Sequence, residues 1–256
     1  MAMYKRNKEQ IRTLRVSKDS VIDITELLPK QKRCWCIIVQ ALQDYTSLNI
    51  DWENISCEEL EKIICLNKHK EYSIKFHLNE ITDRTKRKET IKQIEDLLNV
   101  EFVYNFFEEG KEKIEKFHLV HRIIIDNNSV EIFLPIITIR RVLNFSRKGF
   151  TAFDKKSFLC LSSKYSMDFY LFLSENYKNK IIEISIEDFK ERLKCPESYD
   201  AEDLKKTVFT PSLREYEKNN TRLSANISLY HKEDNSGKRG RKKLNYIQIT
   251  IIDREL

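Results

Sequence analysis

Glycine and proline are scarce in this chain of 256 residues, with four of each. The isolated Gly110, Gly149, Gly237 and Gly240 cannot build a GxGxxG turn or a GxxxxGKS/T loop. Those sites need clustered glycines at fixed spacing so that backbone can approach phosphate. The common nucleotide-dependent enzymes are thereby excluded. Cys34, Cys36, Cys57, Cys65, Cys160 and Cys195 include no CxxC pair. Cys34 and Cys36 would point about 200° apart on a helix, a poor shared metal site. Buried, reduced thiols are the expectation, with no metal and no cofactor. Long apolar runs are also missing: the stretch 132–139 falls far short of the roughly 18 residues a span requires. No apolar segment follows MAMYKRNKEQ, so a secretory signal is not expected. A soluble cytoplasmic protein without a membrane partner is the reading.

Charge, by contrast, is plentiful and unevenly spread. Residues 4–18 carry +5, 84–88 carry +4 and 238–243 carry +5. The net is +6, so the rest of the chain is at −8. An acidic body with concentrated cations points to a polyanion, because clustered Lys and Arg release counterions from phosphates. Fourteen Phe and 11 Tyr supply enough apolar area for two cores of ordinary domain size.

The periodicity divides the chain in two. Residues 1–18 lack a sustained apolar stripe and read as a flexible basic arm. A helix follows Pro29, with Trp35, Ile38, Val39 and Leu42 at helical spacing. A second is expected near Ser56, where Ser56 and Glu59 make a capping-box pattern before Leu60, Ile63 and Ile64. A strand over 72–78 precedes a basic-ended helix with Ile91, Ile94, Leu97 and Leu98 on one face. Strands over 100–107 and 117–125 then flank the charged EEGKEK, and 129–134 and 136–143 add a strand and a short helix. Helix, helix, strand, basic helix and hairpin is the order of a winged helix. NFSRKGF at 144–150 is the candidate linker. After it come a helix over 163–177, a strand over 181–184, a helix over 185–193 and a helix from Asp200 to about Lys218. Pro211 should kink or break that last helix near Val208. Strands over 222–230 and 244–252 flank the long basic loop HKEDNSGKRGRKK, the tip of a wing. The fold class is therefore α+β, two winged-helix domains related by pseudo-symmetry. The expected divisions are 1–18 (arm), 19–146 (dimerisation and accessory DNA contacts) and 147–256 (sequence-specific DNA binding).

The segments LSSKYSMDFYLFLSENYKNK, EISIEDFKERLKCPESY and DLKKTVFTPSLREYEKNNT carry a family resemblance. The chain resembles the replication initiator (Rep) proteins of iteron-controlled, theta-replicating plasmids. The match is closest over 157–252 and looser over 16–145, where it rests on element order and the helix after LLPKQK. The resemblance implies binding of direct repeats at a plasmid origin, opening of the duplex and recruitment of a host helicase and host initiator. It also implies a homodimer in equilibrium with monomer, with repression of the protein's own gene. The long basic loop in the C-terminal wing departs from the family pattern.

Within this frame Leu204, Val208 and Leu213 are the core side of the recognition helix. Lys205, Lys206, Thr210 and Arg214 are the candidates for the groove, since Arg and Lys can bond guanine O6 and N7 and Thr can meet a thymine methyl or a phosphate. Lys238, Arg239, Arg241, Lys242 and Lys243 on the wing are candidate phosphate clamps. Arg84, Lys86, Arg87 and Lys88 are the corresponding cations of the first domain. No catalytic set is found: His118 and His121 are read in one strand facing opposite ways, and Glu58–Glu59 and Glu108–Glu109 read as solvated charge. A winged-helix transcriptional regulator and a DNA-nicking enzyme stand as alternatives to the initiator.

Overall fold

Cys34, Trp35, Cys36, Ile37, Ile38, Val39 and Leu42 are all buried, so one helix, α1 (Pro29–Thr46), is apolar on nearly every side. A helix of that kind must lie inside the molecule. The computed structural model describes residues 13–17, 24–46, 71–82, 86–108, 111–135, 138–139, 142, 150–232 and 244–255. The helix expected near Ser56 lies outside these residues.

The first half places β2 (Glu71–His77) against β6 (Ser129–Pro135) and β6 against β5 (Arg122–Asp126), both antiparallel. Tyr72, Ile74 and Phe76 alternate inward with Val130, Ile132 and Leu134. Helix α2 (Arg87–Glu95) packs on α1 through Ile94, then tightens into a 3₁₀ turn over Asp96–Asn99. That turn buries Leu97 but leaves Leu98 exposed, contrary to the shared face read from periodicity. Strands β3 (Glu101–Glu108) and β4 (Lys111–His118) form a separate two-stranded ribbon. Here the expectation of a strand over 117–125 is corrected. Most of β4 is the charged KEKIEK, which has no buried face to produce apolar alternation. Ile114 on it is 64% exposed.

Strand β1 (Thr13–Ser17) pairs antiparallel with β7 (Phe150–Asp154). The arm expected over 1–18 is therefore structured from Thr13 to Ser17, with Leu14 and Val16 alternating against polar Thr13, Arg15 and Ser17. Phe150, expected in the linker, likewise belongs to β7.

The second half runs α3 (Lys155–Cys160), α4 (Lys164–Glu175), β8 (Ile181–Ser185), α5 (Ile186–Leu193), α6 (Ala201–Leu204), a π turn (Lys205–Phe209), α7 (Thr210–Lys218), β9 (Leu223–Tyr230) and β10 (Tyr246–Asp253). Its sheet has the order β8-β10-β9, all antiparallel. An aromatic cluster fills the space beneath. Phe169 of α4 meets Phe189 edge-on at 6.0 Å and Phe209 at 5.6 Å, and stacks on Tyr216 at 6.1 Å. Each such ring removes a large apolar area from water and adds about 0.5–1.5 kcal/mol through its geometry. The buried residues of both halves form one continuous cluster. Cys34 and Cys36 lie in it, and burial pushes both thiols up, Cys36 to about 12. Cys160 is exposed, however, because it closes a short helix at the surface. Among the described residues no helix is long and apolar enough to cross a membrane.

Candidate nucleic-acid interface

The helix-turn-helix of the second half is fixed at each end by side chains suited to the task. Ser185 accepts a bond from Asp188 N at 3.0 Å to start α5, and Lys194 ends it at φ 50°, in the left-handed region. Lys190 braces the turn by donating to the carbonyls of Glu197 (2.8 Å) and Tyr199 (3.2 Å). Asp200 then caps α6, accepting from Glu202 N and Asp203 N, while Asp203 accepts from Asp200 N at 3.2 Å. This reciprocal box satisfies donors that a helix start otherwise leaves open.

From Ala201 to Lys218 the helix is continuous, and Pro211 does not break it. Proline lacks an N–H and its ring clashes with the carbonyl four residues back. The helix relieves that clash by widening one turn, with Thr210 N bonded to Lys205 O. The widening also aligns side chains. Four residues of α-helix overshoot one turn by about 40°, whereas four residues across a π turn fall short of one. Lys206, Thr210 and Arg214 therefore share one side. Leu204, Val208, Phe209 and Tyr216 are buried on the other, and Leu213 is half-buried. The Tyr216 hydroxyl donates to Ser166 O of α4 at 2.6 Å. Lys205, Lys206 and Arg214 are exposed and Thr210 is half-exposed. Sequence reasoning missed Thr207 and Pro211, which are also exposed on this outer surface. The run of three polar residues between Leu204 and Val208 was the available signal for Thr207.

The wing is β9 and β10, in register from Tyr246 opposite Tyr230 to Asp253 opposite Leu223. Asn245 closes the loop at its root: its side chain accepts from Lys232 N at 2.8 Å and donates to Lys232 O at 3.1 Å. Lys232 lies over the Tyr246 ring at 4.8 Å. Lys238, Arg239, Arg241, Lys242 and Lys243 lie outside the described residues.

In the first half Arg84 is also outside them. Lys86 stands at the N-cap of α2 and is exposed, as is Lys88. Arg87 donates to Asn128 Oδ1 in the turn between β5 and β6, so its guanidinium is a strut between helix and hairpin. His118 ends β4 and His121 follows in the turn, both exposed. The described residues contain no group of three His, Cys, Asp or Glu that could hold a metal.

A model of the family described as "Initiator Replication protein, WH1" matches residues 26–174, and one described as "Initiator Rep protein, WH2" matches 185–251. Among solved structures, the fold is similar to "Crystal structure of Pi initiator protein in complex with iteron DNA". The identity is 15% and the TM-score 0.63, with 96% of this chain and 99% of that chain covered. No curated protein matches the sequence.

Proposed function

Since the chain belongs to the initiator Rep protein family, with a winged helix in each half, we propose that it initiates plasmid replication by binding direct repeats, iterons, at the origin. The solved protein of similar fold was captured on iteron DNA. The observation that carries the reading is the cationic outer side of the capped helix Ala201–Lys218. Lys205, Lys206 and Arg214 stand in solvent there, on a helix held rigidly by buried rings.

The two halves divide the work. The C-terminal unit, from about residue 147, selects the repeat through Lys205, Lys206, Thr210 and Arg214. Its wing cations Lys238, Arg239, Arg241, Lys242 and Lys243 hold phosphates. The unit over 19–146 adds phosphate contacts through Arg84, Lys86 and Lys88 and supports a homodimer in equilibrium with the monomer. Arg87 takes the smaller share, given its bond to Asn128. The protein acts without catalysis of its own, opens the duplex by binding, and recruits the host helicase and initiator. Dimers repress its gene. A plasmid carrying the gene and its upstream repeats should transform a host only when the protein is intact. Loss of repression with replication unaffected would instead make it a regulator.

Binding should depend steeply on salt. With six to ten phosphates neutralised, the log–log slope of affinity against salt should lie at about −5 to −9. Titrating a labelled repeat duplex at several salt concentrations measures it, and a slope near zero would end the DNA-binding reading.

A further inference from the structure

Lys206 O has lost both of its helical donors. In a π turn each N–H reaches five residues back instead of four, and Thr210 N accordingly bonds Lys205 O. Thr210 N is the donor that an α-helix would have given to Lys206 O. The donor that a continued π turn would give it belongs to position 211, which is proline and has no N–H. This carbonyl opens on the outer surface, among exposed Lys206, Thr207 and Pro211 and half-exposed Thr210, with Val208 and Phe209 buried behind it. A backbone oxygen lies nearer the helix axis than a long side chain reaches. Another molecule's edge therefore meets it only where the flanking side chains are short, and Thr207 and Pro211, one turn apart, are short. Lys205, Lys206 and Arg214 around it are donors only. The carbonyl adds the opposite polarity, and the proline ring beside it adds an apolar surface.

We propose that Lys206 O and the Pro211 ring together read one A·T base pair of the repeat, an uncharged contact set within the cationic side of the helix. The inference rests on the DNA-binding reading above and deepens it by naming the base-pair chemistry recognised. In the major groove an A·T pair presents the adenine N6 amine, a donor, and the thymine C5 methyl on the partner base. The carbonyl accepts from the amine, and the ring packs on the methyl. A G·C pair has no methyl, and it turns guanine O6 and N7, both acceptors, toward the groove, where a further acceptor is repelled. Lys and Arg favour those guanine acceptors, so the carbonyl supplies a preference that they cannot. It carries no charge, so the contact displaces no counterion and is independent of salt.

The full chain, as wild type, Pro211→Ala and Thr207→Gln, is titrated with the direct-repeat duplex found upstream of the gene, at two salt concentrations. Each A·T pair is altered in turn. Replacing adenine by 2-aminopurine removes the N6 amine and keeps the pairing; replacing thymine by uracil removes the methyl. At one A·T pair wild type should lose about three- to tenfold with 2-aminopurine and about fourfold with uracil, equally at both salts. Pro211→Ala adds an N–H that satisfies the carbonyl and removes the ring, so both penalties at that pair should vanish. Thr207→Gln leaves the backbone intact and covers the carbonyl with a longer side chain, so there the 2-aminopurine penalty should vanish. A 2-aminopurine penalty that survives in either variant overturns the proposal, as does a wild type with no A·T pair sensitive to both analogues. Failure of wild type to prefer the repeat over a scrambled duplex would instead defeat the DNA-binding reading itself.

Discussion

Asp168→Leu should destabilise the protein by about 3–5 kcal/mol, seen as a large fall in the urea midpoint, because it strands a buried ammonium. Asp168 and Lys32 are both fully inaccessible, and their ion pair joins α1 to α4. Among the described residues the second carboxylate oxygen of Asp168 finds no hydrogen-bond partner, so the pair is incompletely compensated there. Lys32→Met together with Asp168→Leu should therefore recover most of the loss, or exceed wild type by about 1–4 kcal/mol. Burial pulls Lys32 down to about 8 and pushes Asp168 up to about 6, with their mutual attraction opposing both shifts. A raised carboxyl adds stability that is lost as pH rises through about 6, and a lowered ammonium adds stability that is lost as pH falls through about 8. Between those values the charged pair contributes least, so the double variant's advantage should peak there. A double variant no more stable than Asp168→Leu would contradict this account.

Neutralising Lys238, Arg239, Arg241, Lys242 and Lys243 together should flatten the salt slope by about four units and weaken every duplex at low salt. A loop containing Gly237 and Gly240 can track phosphates but cannot hold a bidentate geometry against a base. Arg214→Ala should behave differently. Its guanidinium projects from a helix pinned by Tyr216 and Phe209, so its loss should cost about 1–3 kcal/mol on the repeat and much less on scrambled DNA. Titrations of both duplexes at two salt concentrations separate the cases. If the loop variant loses only the repeat while Arg214→Ala loses both duplexes equally, the wing is the sequence reader.

Where local chemistry determined the structure, the sequence was legible. Ser185 and Asp200 read correctly as helix caps, and the alternation in β9 and β10 gave the wing. Pro211 announced a disturbance, but not its form, since a kink, a break and a π turn all relieve the same clash. β4 was misplaced because a solvent-facing ribbon needs no apolar side. The long-range bonds of Lys32 and Arg33 were invisible for another reason. The partners of Arg33 are 48 and 128 positions away and that of Lys32 is 136, distances over which no periodicity operates. The wing cations, read from charge alone, lie outside the described residues.

The pairing of β1 with β7 also bears on how the protein is made. Thr13 lies opposite Asp154 and Ser17 opposite Phe150, so a strand near the start of the chain finds its partner only beyond the midpoint. At about 5–20 residues per second, a ribosome delivers that partner on the order of ten seconds later. Until then Leu14 and Val16 emerge with an open edge, and the helix α1 has neither Phe153 to stack on Trp35 nor Asp168 to neutralise Lys32. The first winged helix is therefore completed by residues of the second half, and synthesis interrupted before residue 168 leaves Lys32 without the carboxylate that faces it in the finished fold.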